Sequence, residues 1–471
     1  MKLLLILPNA NIHKLKWGRR SISFREAPLT LTTLAALVPS ELNADVKIID
    51  ESIEEIPFEE HYDLVGISCL TGTVTRAYAI ADFFMKKGST VVLGGVHVSL
   101  MPQEAVKHAH SIVIGFAEQT WPQMLRDYSS GTLKRIYADS GNNIQGLPSP
   151  RRDLQKKFGY LNPHTVFATR GCKKSCDFCT VSAVPFGWNT RPVAEVIDEV
   201  RGIKAKRIVF NDVSLLEDRE YAKELFTALI PLKKLWGGLC TTQIGHDEEM
   251  LDLMRRSGCV YLLIGFESVS NQALYAIKKG FNNSDNYHRL VKSLHARGII
   301  IQGCFVFGFD NDDKRVFRKT VEAVNHLKID IPRYAIYTPY PKTKAYKRLK
   351  AERRLLHENW EYYDTQHVVF QPAQMSPREL DEGFKWAYRE TFRLGSIHKR
   401  IMGSGNSFLI KFFGNLAYKL YVRRLYTDQD RFPKKYRPLQ NKPEMAPDSG
   451  HAQEIFTNKG SCPYVCSQEQ A

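Results

Sequence analysis

Three cysteines stand close together in the segment ATRGCKKSCDFCT, which covers residues 168–180. Cys172, Cys176 and Cys179 are separated by three residues and then by two. Thiolates at such short spacing can wrap around one metal centre from a single loop, and thiolate sulfur binds zinc or iron. The chain has nine cysteines, an odd number scattered over 471 residues, which suits a metal or redox site in a reducing compartment better than a disulfide framework.

Three interpretations compete for this loop. A structural zinc site normally takes four ligands, and no second pair of cysteines is near, although His164 is available as a fourth ligand. Inert thiols beside Lys173, Lys174 and Asp177 would lie in a solvated loop and be open to oxidation. An iron–sulfur cubane fits best, because three thiolates hold the cluster and leave one iron free for a small molecule.

The elements around the loop predict a barrel over residues 164–350. The strand TVFATR precedes the cysteines, the helix PVAEVIDEVRGIKA follows them, and five more strands alternate with helical segments up to PRYAIYTPYP. Six strands in this alternation favour a partial or complete (β/α) barrel, in which reactive groups sit where strands end. Residues 131–163, rich in Ser, Gly, Asn and Pro, are interpreted as a linker in front of the barrel.

Residues 1–130 predict a separate, Rossmann-like parallel sheet of about five strands, because short apolar runs such as KLLLIL and TVVLGG alternate with helical segments. The turn after the first strand lacks Gly-x-Gly-x-x-Gly, so a dinucleotide is not expected. Ligands of such sheets bind at the carboxyl ends of the strands, where adjacent glycines let a bulky planar ligand approach closely. The residues expected at that edge are Ser68, Thr71, Thr73, Gly94, Gly95 and His97.

The cysteine spacing, with the aromatic Phe178 before the last cysteine, resembles that of the radical S-adenosylmethionine (SAM) superfamily. The resemblance implies that Cys172, Cys176 and Cys179 hold a [4Fe-4S] cluster whose open iron binds the amino and carboxylate groups of SAM. Three further stretches are similar to the cobalamin-binding branch of that superfamily. They are FNDVSLLED at 210–218, IGFES at 264–268 and TPYPKTKAY at 338–346, in which Lys342 replaces a glycine.

Within these stretches, the resemblance implies that Glu267 and Ser268 hold the ribose or the amino acid part of SAM. Asn211, Asp212 and Ser214 are weaker candidates for the same role. A side chain that caps the following helix is the alternative interpretation of Glu267 or Ser268.

The first domain is similar to cobalamin-binding domains fused to radical enzymes, which carry GGxH and GExE stretches at strand ends. GGVH at 94–97 matches the first stretch, and IGFAEQT at 114–120 keeps Glu118 of the second, with Phe116 in place of its first acidic residue. His13 lies in an incomplete Asp-x-His-x-x-Gly motif and is interpreted as a loop histidine, and Cys69 alone argues against a second cluster. The resemblance implies cobalamin contacts from Ser68, Thr71, Gly94, Gly95, His97 and Glu118.

The expected fold is therefore α/β, with an N-terminal Rossmann-like cobalamin-binding domain, a partial (β/α) radical SAM barrel and a helical C-terminal extension. The resemblance implies methylation or rearrangement of an unactivated carbon in a hydrophobic small molecule, such as a tetrapyrrole or an isoprenoid lipid. A flavodoxin or ferredoxin would be the reductant. Two alternatives stay open: a cobalamin-independent radical SAM enzyme for oxidative cyclisation or C–C coupling, and an RNA-modifying radical enzyme.

Residues 351–440 are expected to form a helical, basic region and residues 441–471 a disordered tail. The stretch 397–427 has no acidic residue, and its Lys and Arg residues alternate with Phe and Tyr. Segment 407–426 could lie on an anionic membrane, or it could pack its aromatic face on the barrel. In the tail, Cys462 and Cys466 are interpreted as free thiols or as ligands of an auxiliary cluster.

The net charge and the hydropathy limit which binding partners and which cellular compartment are expected. The formal charge of +16 is compatible with nucleic acid, but no RNA-binding module accompanies it, so nucleic acid is not expected as a partner. The apolar start MKLLLILP stops at Pro8, far short of the roughly 20 residues that span a bilayer. The sequence predicts a cytoplasmic protein, with membrane association through 407–426 as an option.

Overall fold

The computed structural model describes residues 1–9, 14–17, 20–23, 25–138, 143–184, 186–402 and 408–427. The predicted tail with Cys462 and Cys466, and His13, lie outside the described residues. No helix in the described ranges is long and apolar enough to cross a membrane.

The N-terminal domain is a six-stranded parallel sheet with helices on its faces. Its elements are β1 (Lys2–Leu7), β2 (Lys14–Trp17), β3 (Arg20–Ser23), α1 (Thr30–Ala36), β4 (Asp45–Asp50), β5 (Leu64–Ser68), α2 (Val74–Lys86), β6 (Thr90–Gly94), α3 (Val96–Leu100), α4 (Pro102–Ala105), β7 (Ser111–Ile114), α5 (Ala117–Ser129) and β8 (Ile136–Ala138). The strand order is β4-β1-β5-β6-β7-β8. The run Leu3–Ile6 is fully buried because β1 is paired on both sides and covered on both faces, as continuous apolar runs in parallel sheets are.

Two features of this domain differ from the sequence-based prediction. The sheet has a sixth strand, β8, which pairs with β7 and lies inside the segment interpreted as a linker. Three residues are too few for a period to be recognised in the sequence. The loop expected after β1 contains an antiparallel hairpin of β2 and β3.

The second domain is a partial barrel of six parallel strands, as predicted. Its elements are β9 (Thr165–Val166), β10 (Thr169–Gly171), α6 (Thr180–Ala183), β11 (Trp188–Thr190), α7 (Val193–Gly202), β12 (Arg207–Phe210), α8 (Arg219–Leu229), β13 (Leu235–Cys240), α9 (Glu248–Arg256), β14 (Cys259–Glu267), α10 (Asn271–Ala276), α11 (Tyr287–Ala296), β15 (Ile300–Phe307), α12 (Val316–His326), β16 (Ile331–Ile336) and α13 (Lys344–Ala351). The sheet order is β9-β12-β13-β14-β15-β16. The predicted strand TVFATR is divided into β9 and β10, and β10 leaves the sheet to pair with β11.

The C-terminal region consists of α14 (Pro377–Thr391), α15 (Leu394–Ile401) and α16 (Phe408–Thr427). Helix α14 begins at a capping box, in which Ser376 and Glu379 satisfy each other's backbone N–H groups. Tyr388 of α14 covers the edge strand β16, because its hydroxyl accepts from the Tyr334 N–H at 3.0 Å and donates to the Tyr334 carbonyl at 2.9 Å.

Helix α16 packs one face against the barrel, with Tyr418, Tyr421 and Leu425 buried. Lys411 of this helix is buried too, and its ammonium lies 3.0 Å from a carboxylate oxygen of the fully buried Asp330 at the start of β16. Lys411 is one of the basic residues of this segment, and it lies inside the protein, where it attaches the helix to the barrel.

We expect Lys411→Met to destabilise the protein by about 3 kcal/mol, because it takes an ammonium away from the fully buried Asp330 carboxylate, which keeps its contacts with the His295 ring and the Ile301 N–H. The measurement is thermal unfolding of the purified protein under anaerobic conditions. Lys419→Met, on the half-buried side of the same helix, is the matched control and should change the midpoint little. Equal midpoints for the two variants would contradict this role of Lys411.

Candidate active site

The three cysteines lie in one loop between β10 and α6. Cys176 is buried, and Cys172 and Cys179 are half-buried. Within the loop, the Ser182 hydroxyl donates to the carbonyls of Cys176 and Cys179 at 2.7 and 2.8 Å. Gly171, just before the first cysteine, has φ +86°, and a Cβ there would collide with the Gly187 carbonyl of the neighbouring hairpin. Only glycine fits at that point of the turn.

The middle of the loop is held from two sides. The Asp177 N–H donates to the Ile277 carbonyl at 3.3 Å, and the Ala345 N–H donates to the Asp177 carbonyl at 3.0 Å. Ala345 lies in the first turn of α13, inside the predicted TPYPKTKAY motif. The Asp177 side chain is buried and accepts from the Tyr337 hydroxyl at 3.3 Å. Phe178, beside it, stacks edge-on against Tyr337 with ring centroids 6.0 Å apart.

Burial affects the ionisation of two of the three cysteine thiols. In the described part of the chain, no three His, Cys, Asp or Glu side chains are close enough to hold one metal ion. Burial raises the pKa of Cys172 to about 12 and that of Cys176 to about 11. Iron must therefore displace their protons on binding.

Asp212 holds the backbone in front of the cysteine loop. Its buried carboxylate accepts from the N–H of Ala168 at 3.0 Å, from the N–H of Thr169, and from the Thr169 hydroxyl at 2.7 Å. Burial raises the pKa of Asp212 to about 6, and these hydrogen bonds oppose the rise. Asp212 therefore supports the backbone at this point, and its contact with SAM stays a prediction. Asn211 donates to the Ala27 carbonyl, and the Ser214 hydroxyl is buried without a hydrogen bond among the described residues.

Glu267 ends β14 in a left-handed conformation, φ +63°, and forms a buried ion pair with Lys279 at 2.5 Å. A Cβ at Gly265 would lie 3.0 Å from the Lys279 ammonium and collide with the Glu267 carboxylate, so this glycine makes room for the pair. The ammonium also interacts electrostatically with the thiols of Cys176 and Cys179. Sequence reasoning missed Lys279, for which the signal was a lysine in the KKG turn after α10.

Ser268 supports the turn that follows β14. Its hydroxyl accepts from the Ser270 N–H at 3.1 Å, and its carbonyl accepts from the Tyr287 hydroxyl at 3.2 Å. The structure therefore brings the Glu267 and Lys279 charges to the cysteine loop, with Ser268 buried behind Glu267.

A cavity of about 520 Å³ lies between the N-terminal sheet and the barrel. It meets the carboxyl ends of β5 and β6. The strand order reverses next to β5, between β1 and β5, and ligands of such sheets usually bind near that point. The predicted residues Ser68, Gly94, Gly95 and Glu118 line it on one side. On the barrel side, Arg170 and Gly171 line it immediately before Cys172, so the cavity and the cysteine loop adjoin.

Thr71 and His97 were expected at this edge, but the structure places them elsewhere. His97 is fully buried, and its ring nitrogens lie 3.2 Å from the Thr71 hydroxyl and 3.3 Å from a Glu104 carboxylate oxygen. Glu104 also accepts from the Trp360 indole N–H at 3.0 Å. These side chains join the first domain to the C-terminal region. The Thr73 hydroxyl accepts from the Leu70 N–H, beside its own helix.

Glu118 reaches across the domain boundary and pairs with Arg170. The Arg170 guanidinium lies over the rings of Phe116 and Phe167, with its carbon 5.3 and 4.5 Å from their centroids. The second carboxylate oxygen of Glu118 is buried without a hydrogen bond among the described residues. Arg170 was not predicted. Its position two residues before a metal ligand was the only signal.

The cavity residues fit a large, mostly apolar ligand with a few polar groups. Gly95 has φ +100°, and a Cβ there would lie 2.5 Å from the Cys69 carbonyl, while a Cβ at Gly66 would lie 2.9 Å from the Leu5 side chain. Backbone is therefore exposed to the cavity where side chains cannot be. No His or Cys side chain is found among the described residues that line it.

A cluster loop on a six-stranded partial barrel, beside a cavity at a Rossmann-like sheet edge, defines a radical SAM protein with a cobalamin-binding domain. The sequence profile of the radical SAM superfamily matches residues 166–323, and that of the B12 binding domain matches residues 19–125. The chain belongs to the family of cobalamin-dependent radical SAM methyltransferases. It is an enzyme whose cofactors are a [4Fe-4S] cluster, SAM and cobalamin.

Two relatives and one solved structure are similar to this chain. Bacteriochlorophyllide d C-12(1)-methyltransferase of Chlorobaculum tepidum is 31% identical over 415 residues, which cover 84% of this chain and 89% of that protein. The C-8(2)-methyltransferase of the same organism is 27% identical over 84% of this chain and 91% of its own length. The structure of the radical SAM methyltransferase TsrM from Kitasatospora setae, with cobalamin and [4Fe-4S] cluster bound, shares the fold. Its TM-score is 0.63 at 15% identity, over 90% of this chain and 99% of that one.

We expect Gly94→Leu to weaken corrinoid binding about tenfold or more, because the added side chain extends into the cavity. A Cβ at Gly94 meets only Val113 atoms, at 3.8 Å, so the backbone need not move. The measurement is corrinoid and iron per chain after anaerobic reconstitution. Gly202→Leu, at an open position at the end of α7, is the control. Normal corrinoid content in Gly94→Leu would show that cobalamin binds elsewhere.

Proposed function

We propose that this enzyme methylates an unactivated carbon of a tetrapyrrole, with SAM as the methyl source. One observation carries the proposal: the cavity expected to hold cobalamin adjoins the cysteine loop through Arg170 and Gly171, so both cofactors face one reaction space. The names of the two Chlorobaculum tepidum relatives, which act on bacteriochlorophyllide d, support a tetrapyrrole as the substrate.

When bound, the cluster would supply the electron for radical chemistry on SAM, and cobalamin would supply the chemistry of methyl transfer. The chain places them. Cys172, Cys176 and Cys179 fix the cluster, and the buried Glu267 and Lys279 offer a carboxylate and an ammonium to the polar groups of SAM. The ion pair of Glu118 and Arg170 joins the two domains at this space.

Reduction of SAM consumes an electron that the chain does not hold, so a one-electron donor of low potential must act with it. We propose a flavodoxin or ferredoxin for this role. The half-buried Cys172 and Cys179 place the cluster loop near the protein surface, where such a donor has access.

We expect the reconstituted enzyme to transfer a deuterated methyl group from SAM to bacteriochlorophyllide d, used as the probe substrate. Mass spectrometry should find the deuteromethylated product with both S-adenosylhomocysteine and 5′-deoxyadenosine, one from the methyl transfer and one from the radical step. Cys176→Ala should abolish all three products and the iron. The control Cys259→Ala, at the far end of β14 and fully buried, should retain them.

The products separate the alternatives. Formation of 5′-deoxyadenosine alone, with a cyclised or coupled product, would support the cobalamin-independent enzyme. Methylation of a neutral isoprenoid and not of the tetrapyrrole would indicate that the substrate is a lipid. Absence of 5′-deoxyadenosine from a cluster-loaded enzyme would contradict radical chemistry altogether.

We also propose that the outer face of α16 rests on an anionic membrane surface. The helix is apolar on both sides: one face is packed on the barrel, and the other exposes seven large apolar side chains by 38 to 66%. They are Phe408, Leu409, Ile410, Phe412, Phe413, Leu416 and Leu420. Exposed apolar patches of this kind mark interaction surfaces.

Charge favours lipid as the partner of this face. Residues 391–427 contain no Asp or Glu, and Lys399 and Arg423 are exposed there. An apolar face with a cationic rim suits the headgroup region of a membrane that contains anionic lipid. A hydrophobic substrate such as a tetrapyrrole would be taken up from the same surface.

We expect Phe413→Asp to weaken binding to vesicles of phosphatidylcholine and phosphatidylglycerol about tenfold, because a charge replaces an inserted aromatic ring. Co-sedimentation with the vesicles is the measurement. Phe158→Asp, at a phenylalanine that is 82% exposed in another part of the surface, is the matched control. If wild-type protein ignores the vesicles and instead dimerises through this face in ultracentrifugation, the face is an interface between copies.

A further inference from the structure

The interior of the barrel carries a charged group that neither cofactor site uses. On β14, β15 and β16, side chains that face the helices are fully buried, as Ile264, Phe305 and Tyr334 are. The alternate side chains on the same strands, among them Cys304 and Arg333, are only half-buried although they face inward. Alternation of this kind indicates open space in the barrel lumen.

One cross-strand row connects this space to the SAM side of the site. Gly265, Cys304 and Arg333 are register partners on three neighbouring parallel strands, so they point to the same side of the sheet. At the Gly265 end, the space is filled by the Glu267 and Lys279 pair. The Cys304 thiol interacts electrostatically with Arg333 and with that pair. Arg333 therefore lies two strands away from the groups that adjoin the cluster loop.

The Arg333 guanidinium makes no hydrogen bond or ion pair within the described part of the chain. Other enclosed arginines have partners for the guanidinium: Arg191 pairs with Glu199, and Arg400 donates to Asn415 at 2.7 Å. A cation inside a protein without a partner carries a large desolvation cost in free energy unless a ligand of opposite charge binds to it. A half-buried, unpaired guanidinium on a central position of the lumen thus indicates an anion that binds there.

Among the described residues, the charged and polar groups that face Arg333 form no ion pair or hydrogen bond with its guanidinium. Glu26, in the loop before α1, interacts with it electrostatically but forms no ion pair, and burial raises the pKa of that carboxyl. The nearby hydroxyls have hydrogen-bond partners of their own, Gln302 for Tyr418, Tyr334 for Tyr388 and Gln366 for Tyr421.

We propose that Arg333 binds a carboxylate of the substrate inside the barrel lumen and thereby selects tetrapyrroles that carry a free acid side chain over their esters. The fork of the guanidinium suits bidentate binding of a carboxylate. Half-buried apolar side chains such as Leu263 and Val306 offer the rest of the lumen to an apolar ring system. The choice of a tetrapyrrole rests on the function proposed above, whereas the anion subsite rests on the structure alone.

The first experiment tests the subsite without a substrate. Cys304, beside Arg333, is modified in the reconstituted enzyme with an anionic sulfonatoethyl or a cationic trimethylammonioethyl methanethiosulfonate, and its peptide is followed by mass spectrometry. The anionic reagent should react about tenfold faster, because a cation in an enclosed site concentrates anions. Arg333→Gln should remove the preference and Arg333→Lys should keep it. Equal rates for both reagents in the wild-type enzyme would overturn the subsite.

The second experiment tests selectivity, with bacteriochlorophyllide d and its methyl ester as probes in equilibrium binding. The wild-type enzyme should prefer the acid by about 10- to 100-fold, the effect of charge-assisted hydrogen bonds in an enclosed site. Arg333→Gln should bind both probes with the affinity of the ester, while SAM affinity and cluster content stay unchanged. Arg207→Gln, at an exposed arginine at the start of β12, is the control.

The outcomes separate this proposal from the proposed function. An unchanged preference for the acid in Arg333→Gln, or a loss of SAM affinity in that variant, would overturn the role of Arg333. If neither probe binds the wild-type enzyme while the thiol reagents still show the anionic preference, the tetrapyrrole assignment fails and the carboxylate subsite stands.

Discussion

The arrangement of the whole site depends on one buried carboxylate. Asp212 accepts hydrogen bonds from the N–H groups of Ala168 and Thr169, where the chain leaves the first barrel strand. These bonds end β9 after two residues and turn the following residues out of the sheet into the hairpin of β10 and β11. As a consequence, Arg170 and Gly171 face the cavity and the cysteines follow at once. Without that turn, the strand would continue and carry the cysteine loop away from the first domain.

Two ion pairs then connect the parts that the turn brings together. Glu118 and Arg170 join the first sheet to the cysteine loop, and Glu267 and Lys279 join the fourth barrel strand to the same loop from the other side. Buried pairs of this kind contribute little net stability, because desolvation offsets their attraction, but they define orientation strongly. The geometry places charge on both flanks of the cluster loop and leaves the cavity itself largely apolar.

The sequence was most informative about the fold and the site where a short local pattern indicates the chemistry. The alternation of strands and helices correctly indicated the parallel sheet and the barrel, while the cysteine spacing and the adjacent glycines at the end of β6 predict the cluster loop and the ligand edge. Prediction from sequence failed for His97 because a position after a strand indicates the edge of a sheet but not the direction of a side chain. His97 is the second residue of α3, and the helical rotation turns it from the cavity towards Glu104. Lys411 belongs to the basic stretch 397–427, whose composition gives no sign that this side chain pairs with Asp330 inside the protein.

The amino-acid sequence by itself determined the family and the order of the domains, and it predicts the cluster ligands, because ligand spacing and hydropathy period are properties of short segments. Only the tertiary structure decided which charges meet: Glu118 with Arg170, Glu267 with Lys279, and Arg333 with no partner in the described chain. Glu118 and Arg170 come from different domains, and Lys279 reaches Glu267 from the turn after the intervening helix α10. Their pairing follows from strand register and from how the domains pack, which a single sequence does not encode in any local pattern.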